Sequence, residues 1–155
     1  MTVFRRFLVL VALMFWQGGF FFYAAVVVPV GQSVLGSHLE QGMITRQVTT
    51  YLNLSGIGAL AIFAWEGAFA TSSSKWKLAS LWSAWLVMAG CLLALFWLHG
   101  ILDAMIDVDA HELLEPKTFR PLHRVYLWIS TVQWVAGLAW TALMLENWRR
   151  ASPAR

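Results

Sequence analysis

Charge is what this chain lacks. Asp, Glu, Lys and Arg make up 12% of its 155 residues, where a soluble domain carries about a quarter. So small a share excludes a soluble globular domain of this length. Cysteine is nearly absent too. Cys91 stands alone in the middle of an apolar run, so no intrachain disulfide can form and an inert thiol is expected. The chain contains no G-x-x-x-x-G-K, no C-x-x-C, no H-E-x-x-H and no nucleophile elbow, which removes the usual signatures of nucleotide hydrolysis, dithiol redox, zinc proteolysis and acyl transfer. Nor does a linker, low-complexity tract or convincing internal repeat divide it, so residues 1–155 read as one domain.

What is present is apolar. Hydrophobic residues make up 59% and mean hydropathy is +0.64. Three lengths are free of charge: from Phe7 to beyond Pro29, from Leu78 to Leu102 and from Val125 to Leu145. A fourth, Gln47 to Trp65, is shorter and stops before Glu66. Each reaches or approaches the roughly 20 residues that cross about 30 Å of hydrocarbon at 1.5 Å per residue. The reading is an all-α integral membrane four-helix bundle with spans at 7–30, 47–70, 77–102 and 122–146. Arg5 and Arg6 precede the first run as in a signal peptide, but the run is too long and no A-x-A site closes it, so it is expected to remain as an anchor.

Lys and Arg set the topology. Arg5 and Arg6, then Lys75 and Lys77, then Arg149, Arg150 and Arg155 fall on one side of an even number of spans. That side is expected to be cytoplasmic, with both termini inside, in a bacterial cytoplasmic (inner) membrane. The formal charge of +3 is then a topology signal and not a sign of nucleic-acid binding. Anionic membrane lipid is the expected partner of the basic tail. Trp65, Trp76, Trp97, Trp128 and Trp148 suit the interfacial aromatic belt.

Two connections on the other side are long. Residues 29–47 carry Gly31, Gly36 and Gly42, against one rigid helix, although the first helix could continue past Pro29 as a kinked extension. Between about Asp103 and Pro121, Asp109 and Glu112 have capping-box spacing, which predicts a short helix ending before Pro116; Pro121 suits the first turn of the last helix. On the cytoplasmic side the turn TSSSK offers Ser73 or Ser74 as a cap for the third helix.

Polar residues inside a membrane should face the bundle interior. His123, Tyr126, Ser130, Gln133, Gly137 and Thr141 form one stripe by spacing, and Arg46, Thr49, Asn53 and Gly56 form another. Gln17 joins them from the first helix, and His99 and Asp103 from the third. Small residues four apart, such as Ser55 with Ala59, allow close helix approach. All four histidines, His38, His99, His111 and His123, fall on the extracytoplasmic side.

His99, Asp103, Asp107 and His111 recur at intervals of four. On a helix continued past the membrane, His99 could share an ion with Asp103, and Asp107 with His111, but about 18 Å separates the ends. The expected metal set is therefore His99, Asp103 and His123, with His38 or water as a fourth ligand to a transition metal. A haem or quinone would face the same lining, with His99, His123, Gln133, Asn53 and Tyr126 as contacts and the two histidines as axial ligands. Against this stands a plainer reading, in which Asp103 or Asp107 pairs with Arg120 or Arg124. At the cytoplasmic end, Glu66 is expected to pair with Arg5, Arg6 or Lys75, and Glu146 with Arg149 and Arg150.

Two stretches, GGFFFYAAVVVPV (18–30) with a Pro closing the first helix and FRPLHRVYLWIS (119–130) opening the last, resemble the family of small four-span membrane proteins typified by transmembrane protein 205. The resemblance implies a four-helix bundle without a settled activity. The expected function is a non-catalytic accessory or structural membrane protein that associates with itself or with other membrane subunits. The alternative is a metal-, haem- or quinone-binding protein using the extracytoplasmic His/Asp cluster. A transporter or channel is disfavoured, because the cytoplasmic halves of helices one, three and four carry few polar groups and no inverted repeat is seen.

Overall fold

The computed structural model describes residues 2–70, 75–107 and 112–151. Four helices dominate it: α1 (Thr2–Leu35), α2 (His38–Ala68), α3 (Lys75–Asp103) and α4 (Pro116–Ala151). Each is long and apolar enough to cross a membrane, since 29 residues at 1.5 Å already exceed about 30 Å of hydrocarbon. The start of α1, the end of α2, the start of α3 and the end of α4 share one end of the bundle, called here the Glu66 end. The other is the Asp103 end.

Both long connections expected at the Asp103 end take another form. The stretch 29–47 is helical except at Gly36 and Ser37. Gly36 closes α1 at φ 65°, the left-handed conformation that a Cβ would oppose, and its N–H reaches the Gln32 carbonyl at 3.1 Å. Ser37 then caps α2, accepting from the Glu40 N–H at 3.3 Å. Pro29 is absorbed by a π turn over Tyr23–Val27, directly before it. The widened turn relieves the clash of the ring with the preceding carbonyls. A second π turn covers Leu13–Gly18.

The helix expected around Glu112 is not formed. Glu112 lies in a two-residue strand, β2 (Glu112–Leu113), paired antiparallel with β1 (Ile106–Asp107) in the register Ile106↔Leu113 and Asp107↔Glu112. Asp109 lies outside the described residues, as do Ser73 and Ser74. The last helix starts at Pro116 rather than near Pro121, with the Glu115 carbonyl accepting from Phe119 at 2.9 Å. Pro suits a helix start because the missing N–H would be unpaired there in any case. Pro121 sits further in, where the helix tolerates it close to its start.

The core has two parts. Toward the Glu66 end, Val9, Trp16, Phe63, Met88, Trp140 and Met144 pack together, and Phe63 stacks on Trp140 at 4.4 Å and 20°. Gly56 admits the Trp16 indole so closely that an added Cβ would lie 2.9 Å from the ring. Toward the Asp103 end, Leu95, Leu98, Leu102 and Tyr126 form a smaller cluster between α3 and α4. The outer surface is apolar: Phe15, Leu93 and Trp97 are 71%, 72% and 68% exposed. Gln17, Gln41, Asn53, Glu66, Ser130 and Gln133, by contrast, are buried.

Candidate functional site

The predicted polar stripes do turn inward. Tyr126, Ser130, Gln133 and Gly137 on α4 are buried, as are Asn53 and Gly56 on α2 and Gln17 on α1. Their spacing places them on one face of each helix, and no charged residue intervenes to define another.

At the Asp103 end these faces meet in a network. Arg46 donates from Nε to Asp103 Oδ1 at 2.7 Å. The other carboxylate oxygen, Oδ2, faces His99 Nε2 at 3.6 Å, and the same Nε2 lies 2.9 Å from Thr50 Oγ1. The Thr50 hydroxyl donates to the Arg46 carbonyl at 3.0 Å, so its oxygen is left to accept. This assigns the His99 proton to Nε2. One layer further in, Asn53 Nδ2 donates to the Tyr126 hydroxyl at 3.1 Å, and the His99 and Tyr126 rings lie 6.3 Å apart. Beside it, Tyr23 donates to Thr45 Oγ1 at 3.0 Å, and the buried Gln41 amide approaches Thr45 at 3.4 Å. Gln41 fits because Gly31 of α1 has no side chain; a Cβ there would fall 1.8 Å from Gln41 Oε1.

The expected metal set is not assembled. Among the described residues, no three His, Cys, Asp or Glu side chains come together in a way that could hold a metal ion. His99 and Asp103 are neighbours, but His123 stacks on Phe119 (5.6 Å, 8°) and His38 is exposed at the first residue of α2. The physical reason is a competitor that is better placed: the Arg46 guanidinium and the Thr50 hydroxyl occupy the groups a cation would take. Of the expected pairing of Asp103 or Asp107 with Arg120 or Arg124, the Asp103 half is replaced by Arg46. Nor do His99 and Asp107 lie on one continuous helix, because α3 ends at Asp103; His111 lies outside the described residues. Of the five proposed cofactor contacts, Asn53, Tyr126 and His99 converge. Gln133 instead donates to the Met88 carbonyl at 3.2 Å, deeper in the bundle.

Sequence reasoning missed Thr50, which lies four residues past Arg46 and so on its face, and Thr45, which lies on the Gln41 face at the same spacing. Spacing does not single them out, because threonine in an apolar helix usually bonds its own backbone.

A second polar cluster closes the Glu66 end. Glu66, 2% exposed, accepts from Arg5 Nε and, at 2.7 Å, from Trp148 Nε1. Arg5 lies over the Phe69 ring at 4.2 Å, and Arg6 over Trp148 at 5.2 Å. Three helices are thereby clamped by one carboxylate. Glu146 pairs with Arg149 and Arg150 on the surface of α4, as their spacing predicts.

Set beside known proteins, the chain stands on its own residues: no protein-family model, no curated protein and no solved structure matches it.

Proposed function

We propose that this chain is a small integral membrane protein without catalytic activity, an accessory or structural bundle that associates with itself or with other membrane subunits. Both termini face the cytoplasm in a bacterial inner membrane. The kinship with the four-span family typified by transmembrane protein 205 belongs to the same reading. One observation carries it: the polar groups at the Asp103 end satisfy one another. Both oxygens of Asp103 face partners within the bundle, and so do Asn53, Tyr126, Tyr23 and Thr45. Mutual pairing of this kind fixes which helix faces meet, the best attested use of polar groups in a packed interior. A binding site would present converging groups to a cavity. The inverted surface, greasy outside and polar within, supports the placement in lipid. The basic residues at the Glu66 end support its orientation.

Two measurements test this. In a Cys91→Ala background, Leu114→Cys should react with an impermeant thiol reagent on intact cells, and Ala151→Cys only after permeabilisation. Labelling of both from outside would overturn the topology. The protein purified in detergent should be colourless and free of stoichiometric transition metal. A Soret band, or bound metal lost in His99→Ala, would replace this reading with the cofactor-binding one.

A further inference from the structure

We propose that the groove between α1 and α4 at the Glu66 end holds an acyl chain of an anionic phospholipid whose phosphate pairs with Arg6. This rests on the membrane reading above but not on the orientation of the chain. The groove is walled on one side by Val9, Leu10 and Leu13 and on the other by Trp140, Met144 and Trp148, and encloses about 60 Å³. It opens onto the apolar surface, where Leu10 is 45% exposed. Its lining suits a hydrocarbon chain and offers almost nothing to a polar ligand.

The mouth of the groove supplies the charge. Trp148 stands there with the Arg6 guanidinium stacked over its ring. Two arginines meet one carboxylate in this cluster, and both Glu66 oxygens are taken, by Arg5 and by Trp148. Among the described residues Arg6 has no anionic partner, and its Nε is shut away with no acceptor. Arg6 as a whole is half-buried, and a cation without a counter-charge is costly beside hydrocarbon. The phosphate of a phospholipid provides the missing charge in a form the guanidinium fork takes well. Geometry joins the two halves: Arg6 lies one helical turn, about 5 Å, from Val9 and Leu10. A phosphate on Arg6 therefore starts its acyl chain at the groove. Basic pockets between helix ends at a membrane surface are where anionic headgroups gather.

The test uses the full-length protein in neutral detergent micelles, titrated with phosphatidylglycerol or with phosphatidylcholine. Binding is read by native mass spectrometry and by the thermal unfolding midpoint. Wild type should bind phosphatidylglycerol about five-fold more tightly than phosphatidylcholine, the contribution of roughly one basic residue. Arg6→Gln should reduce that preference to less than about two-fold, while Arg6→Lys retains part of it. Leu10→Trp, which fills the groove, should weaken both lipids and leave the preference intact. Undiminished preference in Arg6→Gln, or unchanged binding in Leu10→Trp, would overturn the proposal. So would inorganic phosphate alone reproducing the stabilisation, since that would mark a free-anion site with no role for the chain. Should Arg6→Gln fail to fold, Leu10→Trp and the phosphate comparison decide. Micelle binding is indifferent to orientation, so a failure here is separate from a failure of the labelling experiment.

Discussion

Asp103 shows how much one side chain settles in an apolar bundle. Its carboxylate ties α3 to Arg46 of α2, and through His99 to Thr50 of the same helix. Both members of the Arg46 pair are about 30% exposed, so part of the attraction is screened. Asp103→Ala should therefore lower stability by about 1–2 kcal/mol, and Arg46→Ala by a similar amount. The double variant should cost less than the sum, leaving a coupling of about 1 kcal/mol measured by reversible unfolding in mixed micelles. Strict additivity would show that the pair contributes nothing. At the same scale, two glycines two residues apart, and so on opposite faces of α2, should behave oppositely. Gly56→Ala drives a Cβ into the rigid Trp16 ring and should cost about 1–3 kcal/mol. Gly58→Ala meets nothing within 4 Å and should be neutral, or stabilising by up to about 1 kcal/mol.

Helices, rather than loops, make up nearly all of this molecule, and their existence was readable from charge-free length alone. The inward faces were readable as well, because Tyr126, Ser130 and Gln133 sit at 3–4 spacing within the charge-free length of α4. What could not be read was where helices stop. Gly36 and Ser37 carry a complete stop-and-start signal, a left-handed cap followed by a side-chain cap, yet Gly31 and Gly42 nearby look the same in sequence. Only packing separates them: Gly31 makes room for Gln41, and Gly42 has open space. The partner of Asp103 was hidden for a related reason. Three arginines lie at its level, and choosing Arg46 needs the α2–α3 contact, which no spacing within one helix contains. Since Gly36 is the one positive-φ glycine among the described residues, Gly36→Ala should shorten the ordered end of α1. A loss of about 1 kcal/mol is expected, seen as faster amide exchange around residues 33–38 than in Gly42→Ala.

Taken whole, the bundle is held together differently from a soluble one of the same shape. Lipid outside is as apolar as the core inside, so bringing Phe63 or Trp140 together releases little hydrophobic free energy. Close packing and polar contacts between helices must carry the association. The two ends of the molecule therefore matter more than its greasy middle, and the Glu66 clamp should matter most, because it joins α1, α2 and α4 through a carboxylate that is 2% exposed. Removing one partner of a buried pair leaves the other charge enclosed, which costs about 3–5 kcal/mol. Glu66→Gln should fall near the lower figure, because Trp148 can still donate to the amide oxygen. Arg5→Gln should cost as much, since it leaves the carboxylate enclosed with only Trp148, and the two losses should not add. Glu146 provides the control on the same molecule. It pairs with Arg149, Arg150 and Lys77, but on the solvent-screened surface of α4, and Glu146→Gln should cost far less than Glu66→Gln. Unfolding in mixed micelles across these variants separates the two situations. Equal losses at Glu66 and Glu146 would mean that the enclosed carboxylate does not hold the three helices together.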